Sequence, residues 1–546
     1  MPRWAAHATA PGPCVPEGGR SPLKRMFSAP DPGLVRLRVS LRAVAGVGLA
    51  VTAAQAAGLP LPASVTGGLA ALLALFTVAD PTVRGQALTT LLLPVVGLPV
   101  LALATVLHGS PLLRDTAWLL VVLGGVYARR WGPRGNALGI FAFMMFFVTQ
   151  FLHAVPAQLP VLCAAVALAL LAAGGVRFGP WCVERRTPPP AAPVPPPGTG
   201  PARPTTRQAV QATAACAFAL ALGQTVSDER WYWAVGTTWW IFVNTASRGE
   251  TLVRGFRRIV GTVLGIAAGM LVAVPLDGAP GPTAALVAVC VFGIFYTAAL
   301  SYSWMTFFVT VMAGLLYGLL GVLHPGLLAL RLTETVVGAA GAALAVAVVL
   351  PVTTHAATDA WIQRALQCVH RCTSEAARRL AGDEDADPAP PAAELEVLLG
   401  RVRMSVAPLV HPLNPLHARK ARARRVLELL DDCARQVRAL AAVAADPDAS
   451  HDARLTAACR RVETAVHALM TPSARPALAS VPVPVSVSVS APAPAPAAVE
   501  AEALVPMGRP LSEEHPALAH LHDLEKALAA LDGPLRNPAG PSLVTV

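Results

Sequence analysis

Between Val35 and Pro351 the chain is a close succession of apolar segments, each about long enough to cross a bilayer, and this leaves few folds open. A membrane helix needs roughly 20 apolar residues. On that measure the segments fall near 36–58, 62–79, 86–107, 115–130, 135–153 and 157–177, then near 207–227, 231–246, 257–276, 281–300, 303–323 and 328–351. Residues 114–177 divide least cleanly, because Pro156 and Pro160 mark either a break or a loop. Charged residues make up 14% of the chain. A soluble domain carries roughly 25%, so the deficit points to lipid-facing surface. The expected fold is an all-α polytopic membrane protein of about twelve spans.

The segments form two sets of six, and one short element recurs in both. Arg84-Gly85-Gln86-Ala87-Leu88 leads to Val96-Gly97, and Arg248-Gly249-Glu250-Thr251-Leu252 leads to Val260-Gly261 with the same spacing. A degenerate repeat at the same place in each set is the mark of a duplicated, transporter-like membrane half. The chain therefore parses into an unstructured N-terminus (1–34), a first half (35–178), a proline-rich linker (179–206), a second half (207–352), a helical domain (353–470) and a low-complexity tail with a short helix near Glu513–Leu531 (471–546). Residues 353–470 carry amphipathic stripes such as Val426, Leu429, Leu430, Cys433 and Val437, the periodicity of soluble helices.

Arginine placement sets an orientation. With the N-terminus inside, the inner loops carry Arg84, Arg129, Arg130, Arg134, Arg177, Arg185, Arg186, Arg248, Arg254, Arg257 and Arg258, against little beyond Arg114, Arg230 and Arg331 outside. The positive-inside rule then puts both termini in the cytoplasm. The run from Ala43 to Gly58 after Arg36, Arg38 and Arg42 imitates a secretory leader ending in Ala54-Gln55-Ala56; with so many spans following, it reads as the first membrane helix instead. Met26 is an alternative start.

Several functions are disfavoured. The basic residues gather at segment ends rather than on one soluble face, so no nucleic-acid partner is expected. No Gly-Lys dipeptide occurs, so the chain has no phosphate-binding loop of its own to drive transport. No Gly-x-Ser-x-Gly or His-Glu-x-x-His is present, and no enzyme activity or cofactor is expected. The nine cysteines suggest no disulfide framework. In Cys368-Val369-His370-Arg371-Cys372 a helix would put both thiols on one face and His370 nearly opposite, so no metal site is expected.

The sharpest local signal is Arg257-Arg258-Ile259-Val260-Gly261-Thr262-Val263-Leu264-Gly265, running on to Gly269. Gly261, Gly265 and Gly269 recur every four residues, which flattens one helix face for close packing. Together with Trp233 to Trp240 before it, and with Arg331, Glu334, Thr335 and Gly338 later, this stretch resembles the signature of the fusaric acid resistance protein-like family, related to aromatic acid exporters. The resemblance covers about 207–352 well and 36–177 in part; Leu93, Leu98 and Leu101 stand in the first half where the second has Arg257, Thr262 and Gly265. It implies an inner-membrane efflux protein for small, often aromatic, organic acids, with cytoplasmic helical parts. Plant anion channels activated by aluminium are similar at a greater distance, which implies channel behaviour as an alternative.

Candidate site residues follow. Arg331 and Glu334 lie three apart on one helix face, and an intramembrane ionisable pair needs a reason to be there. Glu334 is the candidate proton carrier and Arg331 its partner or a carboxylate ligand; a plain structural ion pair is the other reading. Asp80 is a second carboxylate, read as capping the loop into Arg84. Trp239 and Trp240 sit about 12 Å deeper than Trp231 by helical rise, and with Asn244 they form a candidate aromatic-acid site; lipid or core packing is the plainer alternative. Arg248, Arg257 and Arg258 are candidate anion ligands at the inner mouth, and Gly261, Gly265, Gly269 and Gly338 are packing positions. The expected function is proton-driven export of aromatic or amphipathic organic acids. A passive anion channel and a non-transporting scaffold are the rivals. The expected partners are the lipid bilayer and small organic anions, with a homo-oligomer and a protein partner for 353–470 left open.

Overall fold

The structure, a computed structural model, describes residues 34–179, 204–243, 245, 247–276, 278–350, 354–380, 383, 385–410, 417–444, 453–470 and 516–536. The expected unstructured N-terminus, most of the proline-rich linker, the low-complexity stretch after Met470 and Asn244 lie outside the described residues. The chain divides into two compact units, one of membrane helices up to Pro351 and one formed chiefly by the residues from Val352 onward, with which the segment up to Glu250 that opens the helix at Arg248 is grouped. Among the described residues every regular element is helical.

In the membrane unit the described helices are α1 (Val35–Ala56), α2 (Leu61–Thr77), α3 (Val83–Val106), α4 (Pro111–Tyr127), α5 (Gly132–Leu152), α6 (Leu159–Phe178), α7 (Pro204–Val226), α8 (Tyr232–Phe242), α9 (Arg248–Leu276), α10 (Pro280–Ala298), α11 (Tyr302–Leu319) and α12 (Pro325–Val348). Their starts follow local chemistry. The Thr82 hydroxyl accepts from the Gly85 N–H at 3.0 Å to cap α3, and Pro occupies the first turn of α2, α4, α5, α6, α10 and α12. A proline there gives up an N–H that would have no helical partner anyway.

Each apolar segment read from the sequence contains a helix, but not all are of span length. Among the described residues nine stretches are long and apolar enough to cross a membrane, one of which, Pro111–Leu152, holds both α4 and α5. The two that fall short are α2, with 17 residues, and α8, with 11. Eleven residues rise only about 16 Å, roughly half a hydrocarbon core of about 30 Å. The helix stops because Val243 turns extended, at φ −66° and ψ 119°. The segment near 231–246 is thus a half-length helix held inside protein, and most of its residues are buried.

The packing partners are these. Helix α1 lies against α2 and α6, and α2 against α6; α7 lies against α8 and α12, and α8 against α12. Helix α3 meets α5, α4 meets α5, and α10 meets α11. Contacts also run between the sets: α4 packs on α7, α10 packs on α1 and, less extensively, α8 on α5.

The second unit contains α13 (Thr354–Leu380), α14 (Ala389–Val410), α15 (His417–Ala444), α16 (Ala453–Met470) and α17 (Pro516–Arg536). It has its own core, where Leu366, Val402, Val437, Val462 and Leu528 are fully buried. The short tail helix expected near 513–531 proves to be part of that core. Leu521, Leu524, Leu528 and Leu531 of α17 are all fully buried, and α17 packs on α15 and α16. The helix was legible, but not the surface it covers. Cys368 and Cys372 share the face of α13 turned to α14, their Sγ atoms donating to the carbonyls of Pro391 and Pro388. Burial pushes the two thiols up to about 11 and about 12, so both stay protonated near neutrality.

Candidate transport site

The short helix α8 is held at both ends by side chains whose polarity matches its dipole. At its N-terminal end Glu334 of α12, fully buried, accepts the Ala234 N–H through Oε2 at 3.0 Å. At its C-terminal end Arg129 Nη1 donates to the Phe242 carbonyl at 2.9 Å and Arg254 Nε to the Trp240 carbonyl at 3.2 Å. Arg258 reaches the same carbonyl through Tyr302, its Nη1 donating to the hydroxyl at 3.0 Å and the hydroxyl to Trp240 O at 3.2 Å. A carboxylate at a helix N-terminus and cations at its C-terminus each stabilise the helix, by up to about 2 kcal/mol when partly buried. A helix too short to cross the bilayer is thereby kept from leaving its end groups bare.

The later family-like element is the dock for α8. Gly338 of α12 brings the two backbones together: a Cβ there would lie 2.5 Å from the Ala234 carbonyl and 2.8 Å from Thr237 Cβ. Thr238 Oγ1 then donates to the Gly338 carbonyl at 2.9 Å. Arg331, 4% exposed, lies with Cζ 3.5 Å from the centroid of the Trp233 ring. A desolvated contact of this kind is worth about 2 kcal/mol. Among the described residues Arg331 and Glu334 form no ion pair; Arg331 Nε and Nη1 and Glu334 Oε1 are buried without hydrogen-bond partners. Two groups on one helix face thus serve different neighbours, the arginine an indole and the glutamate a helix end.

A cavity of about 110 Å³ opens beside α8, lined by Trp233, Gly236 and Trp240 and by Leu, Met, Phe and Ile side chains of α2, α5, α10 and α11. Arg258 is the only charged side chain among the described residues that line it, joined by the hydroxyl of Thr306. An apolar cavity of about 150 Å³ holds benzene, so this space is on the scale of a single aromatic ring. Its walls suit a ring face, and its one guanidinium suits an anionic substituent.

The sequence candidates separate here. Trp240 and Arg258 meet at the cavity. Trp239 turns away, fully buried and stacked on Phe143 with centroids 4.3 Å apart. Arg257 is exposed, Arg248 is half-buried at the start of α9, and Asn244 is outside the described residues. Gly261 and Gly265 form the close contact of α9 with α11: a Cβ on Gly265 would lie 2.7 Å from Thr310 Cβ and 2.8 Å from the Phe307 carbonyl, and one on Gly261 would meet the Ser303 carbonyl. Gly269 is looser, 3.7 Å from Val311 Cα, an ordinary contact. Asp80 does more than cap a loop, since its Oδ2 accepts from Thr89 Oγ1 at 2.7 Å and its Oδ1 lies 3.7 Å from Arg134 Nη2.

Sequence reading left Arg129, Arg254, Tyr302 and Tyr317 out of the site. Arg129 was placed only as an orientation charge, and its reach to Phe242 crosses more than a hundred residues. Tyr317 takes the Trp233 indole N–H at 2.5 Å and carried no local signal. The spacing of Arg254 and Arg258, one helical turn apart on one face, was the available clue.

Fold and site together define a multi-pass helical membrane protein with an apolar cavity bordered by one guanidinium group. Residues 214–346, which run from α7 into α12 and include α8 and its dock, match the family model of the fusaric acid resistance protein-like family, so the chain carries a segment of that family. The family relates to membrane efflux. No curated protein and no solved structure matches the chain.

Proposed function

We propose that the chain is a secondary transporter of the inner membrane that exports small aromatic or amphipathic organic acids under the proton gradient. The observation that carries this reading is the ring-sized cavity, with aromatic walls from Trp233 and Trp240 and a single guanidinium from Arg258. Buried carboxylates inside membranes commonly carry protons, and Glu334, with one oxygen on Ala234 and the other free, is the coupling group in this scheme. A proton on Glu334 would weaken its hold on the N-terminus of α8, which borders the cavity. No catalytic step is assigned to any residue.

Two six-helix halves are part of the proposal, and the packing supports them. Offsetting by six helices turns the α1–α2, α1–α6, α2–α6 and α4–α5 pairs into α7–α8, α7–α12, α8–α12 and α10–α11, and α4 on α7 corresponds to α10 on α1. The excess of arginine on one set of loops supports cytoplasmic termini. The test is flux: proteoliposomes with an imposed proton gradient should move benzoate and related aromatic acids. If a panel of such acids stays put under every gradient, the transport reading fails.

A second reading, a passive anion channel, is favoured by the arginines at the end of α8, which form no ion pair among the described residues. Steady anion currents that survive collapse of the proton gradient would select it over the carrier.

A further inference from the structure

The first half contains a finished version of a feature that the second half leaves open. Just past the end of α2, Asp80 is 7% exposed and supplies a carboxylate to Thr89 and Arg134. Close by, Arg177 holds the carbonyls of Val78 at 3.0 Å, Ala74 at 2.9 Å and Leu75 at 3.1 Å. In the register of the repeat, four residues before the Arg-Gly pair, the second copy has Asn244 instead of an aspartate. Two guanidiniums, of Arg129 and Arg254, meet the last turn of α8 and a third, of Arg258, reaches it through Tyr302; among the described residues none of the three forms an ion pair. Arg129 Nε and Nη2 and Arg258 Nε are buried without partners, and Arg258 is only 6% exposed. The partial charge of a helix C-terminus, about half a unit, offsets a small part of three positive charges. Buried charge without a counter-charge is costly, and an incoming oxyanion would relieve it.

We propose that the C-terminal end of α8 is a carboxylate subsite, in which Arg129 from the first half and Arg254 and Arg258 from the second hold a substrate carboxylate where the first half uses its own Asp80. Arg258 joins this subsite to the cavity, so the bound acid has its ring against Trp240 and its carboxylate on the arginines. The ligand class rests on the transport reading; the subsite itself rests on the uncompensated arginines. Because the arginines come from both halves, occupancy ties the halves together.

The test is equilibrium dialysis of the full-length protein in detergent with labelled benzoate and with benzamide, its neutral analogue. Wild type should bind benzoate the more tightly. Arg129→Gln and Arg254→Gln should each weaken benzoate about tenfold or more, as loss of a hydrogen bond to a charged group does, and leave benzamide unchanged. Retained benzamide binding reports an intact cavity. Arg177→Gln, in the first half, should leave benzoate binding as it was. Should Arg129→Gln not yield folded protein, Arg129→Lys keeps the charge without the planar fork and should still weaken benzoate several-fold. Equal binding of the two ligands by wild type, or parallel loss of both in the variants, would overturn the subsite and leave the arginines as caps of α8. Arginine-dependent binding without flux in proteoliposomes would sink the transport reading alone. Flux with unaltered binding in the variants would sink the subsite alone.

Discussion

In both sets of membrane helices the sixth helix packs on the second and supplies it with a charge, but to opposite ends and with opposite signs. Helix α6, whose sequence has no acidic residue, sends Arg177 to the C-terminal carbonyls of α2. Helix α12 sends Glu334 to the N-terminal N–H of Ala234 in α8. Either choice compensates a helix dipole. The consequences differ. Where the C-terminal end is served by Arg177, with Asp80 and Arg134 beside it, positive and negative charge meet within the protein. Where the N-terminal end takes the carboxylate, the C-terminal end is left to three arginines that form no ion pair among the described residues. At the end of α2 a carboxylate stands beside the guanidiniums; the end of α8, on the proposal above, takes its carboxylate from a ligand.

Exchanging residues between the two sets of helices tests the proposed repeat. The largest effect is expected at the register of Gly265 and Leu101. Leu101 is fully buried, and Leu101→Gly should cost about 5 kcal/mol, from the cavity left behind plus the helix penalty of glycine. Gly265→Leu should cost about 3 kcal/mol by overpacking against Thr310 and the Phe307 carbonyl. Melting of the detergent-solubilised protein measures both; a melting temperature unchanged by Gly265→Leu would mean that α9 and α11 are not in close contact.

Smaller effects are expected from the charges. Asp80→Asn removes the negative charge beside Arg134 and Thr89 and should destabilise by about 2 kcal/mol, the worth of a hydrogen-bonded buried charge. If it proves neutral, the contrast in charge balance between the halves loses its energetic basis. Glu334→Ala should cost about 1 kcal/mol as a lost helix cap. Glu334→Gln keeps an acceptor for the Ala234 N–H and should melt close to wild type. Its effect is expected in function: the pH dependence of benzoate flux should flatten while flux at a fixed pH persists. A pH profile matching wild type would remove Glu334 from coupling.

How much was legible can be judged residue by residue. Glu334 and Arg331 stood out because ionisable side chains are rare in membrane segments, but the expected pairing between them did not form. Their spacing permits a bond on an isolated helix; in the fold each has a nearer neighbour, Ala234 for one and Trp233 for the other. Trp239 and Trp240 look equivalent in sequence, yet consecutive helical residues point about 100° apart. One indole therefore stacks on Phe143 and the other lines the cavity. Arg129 was visible only as a loop charge, since nothing local relates it to Phe242.

By itself the amino-acid sequence determined the helical membrane character, the approximate place of the apolar helices and the second unit's amphipathic helices. Those properties follow from the length and periodicity of apolar runs, which are local. It also marked the glycines of α9 and α12 as packing positions, because small residues at helical spacing have few other uses. Only the tertiary structure decided that α8 stops at half a span, that Glu334 holds one of its ends and three arginines the other, and that Arg258 borders a ring-sized space. These depend on which distant groups satisfy the ends of a short helix, and hydrogen bonds and charge compensation between remote segments leave no periodic trace in a chain.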